Sequence, residues 1–405
     1  MSPEEAAFLD RICASPDDDV PRLIFADWLD ERNDPRGEFI RVQVAIAHLP
    51  AGDPRQDTLT DREATLLARY HDTWVAPLRG LAAGPEFRRG FVESVNVDGR
   101  TFLKRAAELY RLAPVRHLRF LDVGSTLEWV MASPQLARLT GLTIAAQHID
   151  DRLTGCLVDS PHLDGLRSLN IARNRIGDRG AELLARSPRF PRLTTLDLSD
   201  NSIRDRGAGG LAASVHLGNL ETLELRRNEL TRDGLGLLCS SPTLAELRHL
   251  GLAQNHVRAP RDWMPPGAGV VELAALDLTD NGLTEDAVSM LTALPGLSEL
   301  NHLALERNEV GNVGAGTLAA WPGAAHLKTV RLANNRIGDP GARALARSPY
   351  LHQLAELDLR DNPIHDPGAR AFLNAPSLVR LRWLGLPRLG LTPQMRRALA
   401  ARYPG

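Results

Sequence analysis

Eight asparagines of this 405-residue chain fall in one column when the sequence is aligned with itself: Asn174, Asn201, Asn228, Asn255, Asn281, Asn308, Asn335 and Asn362, spaced by 27 residues at every step but one of 26. A chain with that period folds as a stack of like units, each adding its own slice of core to the last. Every Asn closes the same phrase, LxxLxLxxN. Leu166, Leu169, Ile171 and Asn174 recur as Leu193, Leu196, Leu198 and Asn201, and again as Leu220, Leu223, Leu225 and Asn228. Residues two apart on a strand share a face, so the second and third apolar positions enter a core while their neighbours face outward.

A second phrase follows each Asn. Ile176, Asp178, Gly180, Ala181, Leu184, Ser187 and Pro188 recur as Ile337, Asp339, Gly341, Ala342, Leu345, Ser348 and Pro349. The apolar spacing is helical, the Asp is expected to cap its own helix, and the Pro prevents continuation. One unit is therefore strand, turn, helix. This pattern resembles the leucine-rich-repeat family, specifically its ribonuclease-inhibitor-like subtype with a full helix per repeat. The resemblance implies an α/β solenoid with parallel strands on a concave face and helices on a convex one. It also implies a structural ladder made by the column asparagines, whose amides offer both donor and acceptor to buried backbone groups.

Weaker units extend the array. Leu139, Leu142 and Ile144 lead to Gln147 in the Asn column, and Val115, Leu118 and Phe120 lead to Val123. Val92, Val95 and Val97 are expected to start the sheet. At the far end Leu381, Leu384 and Leu386 precede Leu389 and a closing helix, as terminal repeats lose the consensus where they meet water. The solenoid is thus assigned to 83–405.

Residues 1–82 lack the repeat and read as short helices carrying Phe8, Leu9 and Ile12, then Leu23, Ile24, Trp28 and Leu29, then Phe39, Ile40, Val42 and Val44. The stretch from Arg22 to Gln43, RLIFADWLDERNDPRGEFIRVQ, resembles a bacterial repeat-companion domain found ahead of repeat arrays, from which no activity can be carried over. Asp27, Asp30, Glu31, Arg36, Glu38 and Arg41 form either a charged recognition surface or solvated helix exteriors, and the second reading is preferred. Trp28 and Trp74 are read as core anchors.

Hydrophobic residues make up 43% of the chain, charged residues 24%, and the net charge is −2, which disfavours nucleic-acid and membrane partners. Cys13, Cys156 and Cys239 suggest no disulfide framework, and the acidic N-terminus lacks a signal peptide's basic start, so a cytoplasmic monomer is expected. No phosphate-binding, hydrolase or metalloprotease motif occurs, so the chain is not expected to be an enzyme and no cofactor or metal is assigned. His117, His249 and His302 share an outward strand position but lie in different coils. Asp197 with Asp200, Asp277 with Asp280, and Asp358 with Asp361 are too few per coil for calcium and are expected to pair with Arg226, Arg227 and Arg307.

One coil departs from the pattern. Pro260, Pro265 and Pro266 stand where helix should run; Arg261, Asp262 and Trp263 would be an exposed anchor, or Met264 would fill the core from an irregular segment, the latter preferred. The function expected is a protein-interaction scaffold binding an unidentified protein partner on the concave face. Counting outward positions nominates Asp197, Thr222, Glu224, Arg226, Arg227, Asp277, Glu306, Arg307, Arg331 and Trp383 as contacts. By fold analogy alone, the alternative is a partner of a small GTPase resembling a Ran-type GTPase-activating protein.

Overall fold

A computed structural model describes residues 2–50, 52–258 and 271–403. The calls on Arg261, Asp262, Trp263, Met264 and the three prolines lie outside them. The fold is an α/β leucine-rich-repeat solenoid with an open sheet of 13 mostly parallel strands in chain order. The strands are β1 (Ala83–Arg88), β2 (Phe91–Val97), β3 (His117–Phe120), β4 (Gly141–Thr143), β5 (Ser168–Asn170), β6 (Thr195–Asp197), β7 (Thr222–Glu224), β8 (His249–Gly251), β9 (Ala275–Asp277), β10 (His302–Ala304), β11 (Thr329–Arg331), β12 (Glu356–Asp358) and β13 (Trp383–Gly385). Two compact units divide the chain: Met1–Gln147 with Ser160–Leu169, and His148–Asp159 with Asn170–Gly405. Among the described residues no helix is long and apolar enough to cross a membrane.

In the first unit, helices Pro3–Ala14, Val20–Asp30, Arg36–His48 and Arg55–Val75 precede the strands. Ile12, Phe25, Ala26, Leu29, Ile40 and Val44 pack around Phe91, with Phe8 and Trp28 at the margin. Trp74 packs on Phe39 with ring centroids 4.7 Å apart. β1 runs antiparallel to β2 through a turn at Arg89 and Gly90, both left-handed, and so takes the edge that β2 would otherwise expose. A side chain at Gly90 would strike Ile40. Arg22 is buried and donates to Glu93 at 2.6 Å, an ion pair that ties the second helix to β2. Arg41 pairs with Asp27 and Asp30, and Arg62 with Glu38, so much of this unit's charge is engaged locally.

In the second unit the short strands align in register. Leu196, Leu223, Leu250, Leu276, Leu303, Val330 and Leu357 stand side by side and are buried. Leu198, Leu225, Leu252 and Leu278, two residues on, enter the same core. At the next corner each column Asn works between coils. Asn228 donates to the carbonyls of Leu225 in its own coil and Leu198 in the preceding one, both at 3.0 Å, and accepts from the N–H of Ile203 at 3.0 Å. Asn335 does the same with no exposure at all. In the first unit Gln147 accepts from Val123 N–H and donates to Leu121 carbonyl, each at 3.0 Å.

The helix Asp does not cap its own helix, contrary to the expectation from sequence. Asp178 is the first residue of helix Asp178–Arg186, whose preceding residue, Gly177, offers no side chain. Its carboxylate instead accepts from Arg204 N–H and Gly207 N–H of the next coil, both at 2.8 Å, capping helix Asp205–Ala212 from outside. Asp151, Asp205 and Asp339 act alike, and Asn312 substitutes its amide oxygen. The glycine 29 residues on (Gly180, Gly207, Gly234 or Gly368) is the receiving site: a Cβ at Gly207 would lie 2.8 Å from Asp178 Oδ1. A third ladder is made by the helix-ending serines. Ser187, Ser214, Ser241 and Ser348 donate to the carbonyls of Val158, Ala185, Ala212 and Ala319 in the coil before. Tyr403 closes that series by donating to Phe372 carbonyl at 2.8 Å.

Losing the capping oxygen should cost what an N-cap costs. Asp178→Ala is expected to lower stability in denaturant melts by about 1 kcal/mol. Combined with Gly207→Ala, which blocks the same approach, the losses should fall short of their sum, because both act on one contact. Strict additivity would show that the two residues act independently.

Candidate functional site

The helices of the second unit cover one side of the strands and leave the other to side chains at the first and third strand positions. That side carries most of the charged residues nominated from sequence. Asp197, Thr222, Glu224 and Asp277 are half-buried on β6, β7 and β9, Arg331 is exposed on β11, and Trp383 is half-buried on β13 with the Arg360 guanidinium 5.5 Å from its ring centre. Arg226, Arg227, Glu306 and Arg307 follow their strands in the turns. The structure gathers them unevenly. Arg226, Asp277, Glu306 and Arg307 line a polar basin of about 720 Å³ with Asp358 and Arg360, whereas Glu224, Asp277 and Arg331 border a smaller depression of about 260 Å³. Asp197, Thr222, Arg227 and Trp383 line neither.

The expected Asp–Arg pairing holds for one of the three arginines. Arg227 meets Asp200 at 3.1 Å, but Arg226 donates to Gln254 Oε1 at 3.0 and 2.8 Å, and Arg307 makes no ion pair among the described residues. Asp358 instead takes a bidentate pair from Arg360, at 2.6 Å for the shorter contact. Arg227 and Arg307 occupy a special backbone position. The residue before each column Asn, from Arg173 to Asp361, is left-handed with φ between 52° and 57°, though none is glycine. Such a conformation is uncommon for a side-chain-bearing residue and persists where surrounding bonds dictate it.

The 260 Å³ depression arises from small residues at outward strand positions. Gly251, Ala275 and Ala304 stand where neighbouring coils have Asp, Glu, Thr or Arg, and the floor is the row Leu250, Leu276 and Leu303. The Glu224 carboxylate leans over β8: a Cβ on Gly251 would overlap its Oε2. No hydrogen bond or ion pair reaches that carboxylate among the described residues. Burial, then the negative charges of Asp197 and Asp277, push the Glu224 pKa up to about 7, against a smaller pull from Arg226. His249 and His302 flank the depression on β8 and β10, separated by β9. His117 lies in the other unit with its ring half-buried, and burial lowers its pKa to about 4. Among the described residues no three His, Cys, Asp or Glu side chains come close enough to hold a metal.

Four segments of the sequence, 166–185, 192–212, 323–346 and 351–373, match the Leucine Rich repeat family. These four segments are leucine-rich repeats. A crystal structure of an internalin from Listeria monocytogenes is similar over 72% of this chain and 86% of that one, at 18% identity and a TM-score of 0.40. No curated protein matches the chain significantly. Proteins with leucine-rich repeats generally mediate protein–protein interaction.

Counting outward positions in the leucine-rich repeats did not find the depression, although its signal is in the sequence: LGL and LAL replace LDL and LEL in two coils. Nor did it reveal the unpaired state of Glu224, which depends on coils before and after its own. That state has a pH signature. An acid whose folded pKa is raised stabilises the fold most below its unfolded pKa, and the contribution is lost as pH rises through the folded value. Glu224→Gln should therefore melt like the parent near pH 4 and be more stable near pH 8, by about 1–2 kcal/mol, less than the full shift implies because solvent reaches the carboxylate. Equal melting of the two proteins from pH 4 to 8 would show that Glu224 is ordinarily solvated.

Proposed function

We propose that this chain is a non-enzymatic, cytoplasmic interaction scaffold that binds a protein partner on the sheet face of its repeats, the concave face of the ribonuclease-inhibitor-like subtype. The observation that carries this reading is the sheet face of the second unit. It is open on the side away from the helices, carries charges of both signs and two adjoining depressions, and is held by three ladders of hydrogen bonds. A face built this way is ordered before a partner arrives, which reduces the entropic cost of association. The 27-residue period with a helix in the regular coils supports the subtype, and the four helices ahead of β1 support a repeat-companion domain. No observation favours action on a small GTPase.

The contacts proposed are Asp197, Thr222, Glu224, Arg226, Arg227, Asp277, Glu306, Arg307, Arg331 and Trp383. Arg226, Arg227 and Arg307 are exposed, so reversing all three to Glu should change stability by only about 0.5 kcal/mol each. Full-length protein used as bait should recover a partner whose affinity falls at least about tenfold for the triple variant or for Trp383→Ala. A partner that binds both variants like the parent, and is lost on changing Trp28 in the first unit, would move the binding site off this face.

A further inference from the structure

The outward positions of β6 to β9 carry Thr195, Asp197, Thr222, Glu224, His249, Gly251, Ala275 and Asp277: three carboxylates and neither Lys nor Arg. The nearest cations are engaged elsewhere, Arg226 with Gln254 and Arg227 with Asp200. Arg331 borders the depression only from β11, four strands beyond β7, or about 19 Å at the usual strand spacing. Beneath the acids lies an apolar floor, opened by Gly251 and Ala304 and closed by Leu250, Leu276 and Leu303. At about 260 Å³ the depression falls below the ~300–1,000 Å³ of small-molecule sites. Among the described residues no three His, Cys, Asp or Glu side chains come together here to hold a metal ion.

An apolar slot of side-chain size with an unpaired carboxylate at its rim matches a long aliphatic stem that ends in a cation. We propose that the depression beside Gly251 receives a lysine or arginine side chain of the protein partner, its stem on Leu250 and Leu276 and its charged head on Glu224 between Asp197 and Asp277. This rests on the sheet-face reading above and adds the chemistry of the occupant.

The groups facing Glu224 are Asp197 from β6, His249 and Gly251 from β8, Asp277 from β9 and Arg226 in its own turn. With its proton held up to about pH 7, Glu224 releases it when the cation docks, so affinity rises as pH passes from about 6 to 8.

The test uses fluorescein-labelled hexalysine and hexaglutamate with the full chain at ~0.15 M salt, read by anisotropy. Expected is binding of hexalysine over hexaglutamate, stronger at pH 8 than at pH 6, and weakened about tenfold by Glu224→Gln. Gly251→Leu, which fills the slot but keeps every carboxylate, should weaken it equally. Glu246→Gln, an exposed acid outside the depression, should change affinity less than about twofold. Equal losses for Glu246→Gln and Glu224→Gln, a flat response between pH 6 and 8, or hexaglutamate binding as tightly, would overturn the proposal. Capture of a partner that survives Glu224→Gln and Gly251→Leu but fails with Trp383→Ala would sink the slot and leave the face. A partner indifferent to all three would sink both.

Discussion

The bond on which this structure depends is the one from each column amide to the coil before it. A turn every 27 residues brings backbone N–H and C=O groups into the interior, where an unmade hydrogen bond costs about 1–3 kcal/mol. Asn228 answers donor and acceptor needs of two coils with one side chain. Apolar packing alone does not set the rotation of one coil on the next, because the hydrophobic effect is non-directional. The amide does. It also closes the turn behind a left-handed residue, so the position of Arg227 or Arg307 at the rim is a by-product of the interior ladder.

The other two ladders solve the same problem at the ends of the helix. Asp178 supplies an acceptor to the next helix start, and Ser187 supplies a donor to the previous helix end. Each links coils in a fixed sense along the chain, which makes neighbouring coils conditional on one another. Such nearest-neighbour coupling is what allows short units of marginal individual stability to fold as an array.

Much of this was legible in the sequence, and the boundary has a physical basis. Strand centres and core leucines follow from alternation within a few residues, and the solenoid follows from repetition of that local pattern. The Asn column was readable because its amide has few other uses at a buried corner. The direction of the Asp bond was not, because capping is read over a local interval while Asp178 reaches Gly207, 29 residues on. The Ser187 bond also spans 29 residues, and the buried Arg22–Glu93 pair spans 71. Of the charged positions, residue counting found the face but not its relief. The depression is defined by Gly251 and Ala304, residues that contribute only by being small.

Irregularity along the array is not scattered evenly. Arg232 stands where helices of neighbouring coils begin with Asp178, Asp205, Asp339 or Asp366, Glu285 takes the same place without taking up its bonds, and Leu294, Trp321 and Ala375 replace the ladder Ser. All of these but Ala375 fall between residues 232 and 321, and β8 to β10, which form the depression, lie in the same stretch. A sequence under selection for folding alone would keep the repeat consistent everywhere, and local rules are typically broken where another requirement intervenes. Glu224 is the sharpest instance on the sheet side. A half-buried carboxylate beside two others lowers stability at neutral pH, and a Gln of the same shape would remove that cost. Its presence beside a glycine that makes room for it is intelligible if the missing counter-charge belongs to another molecule.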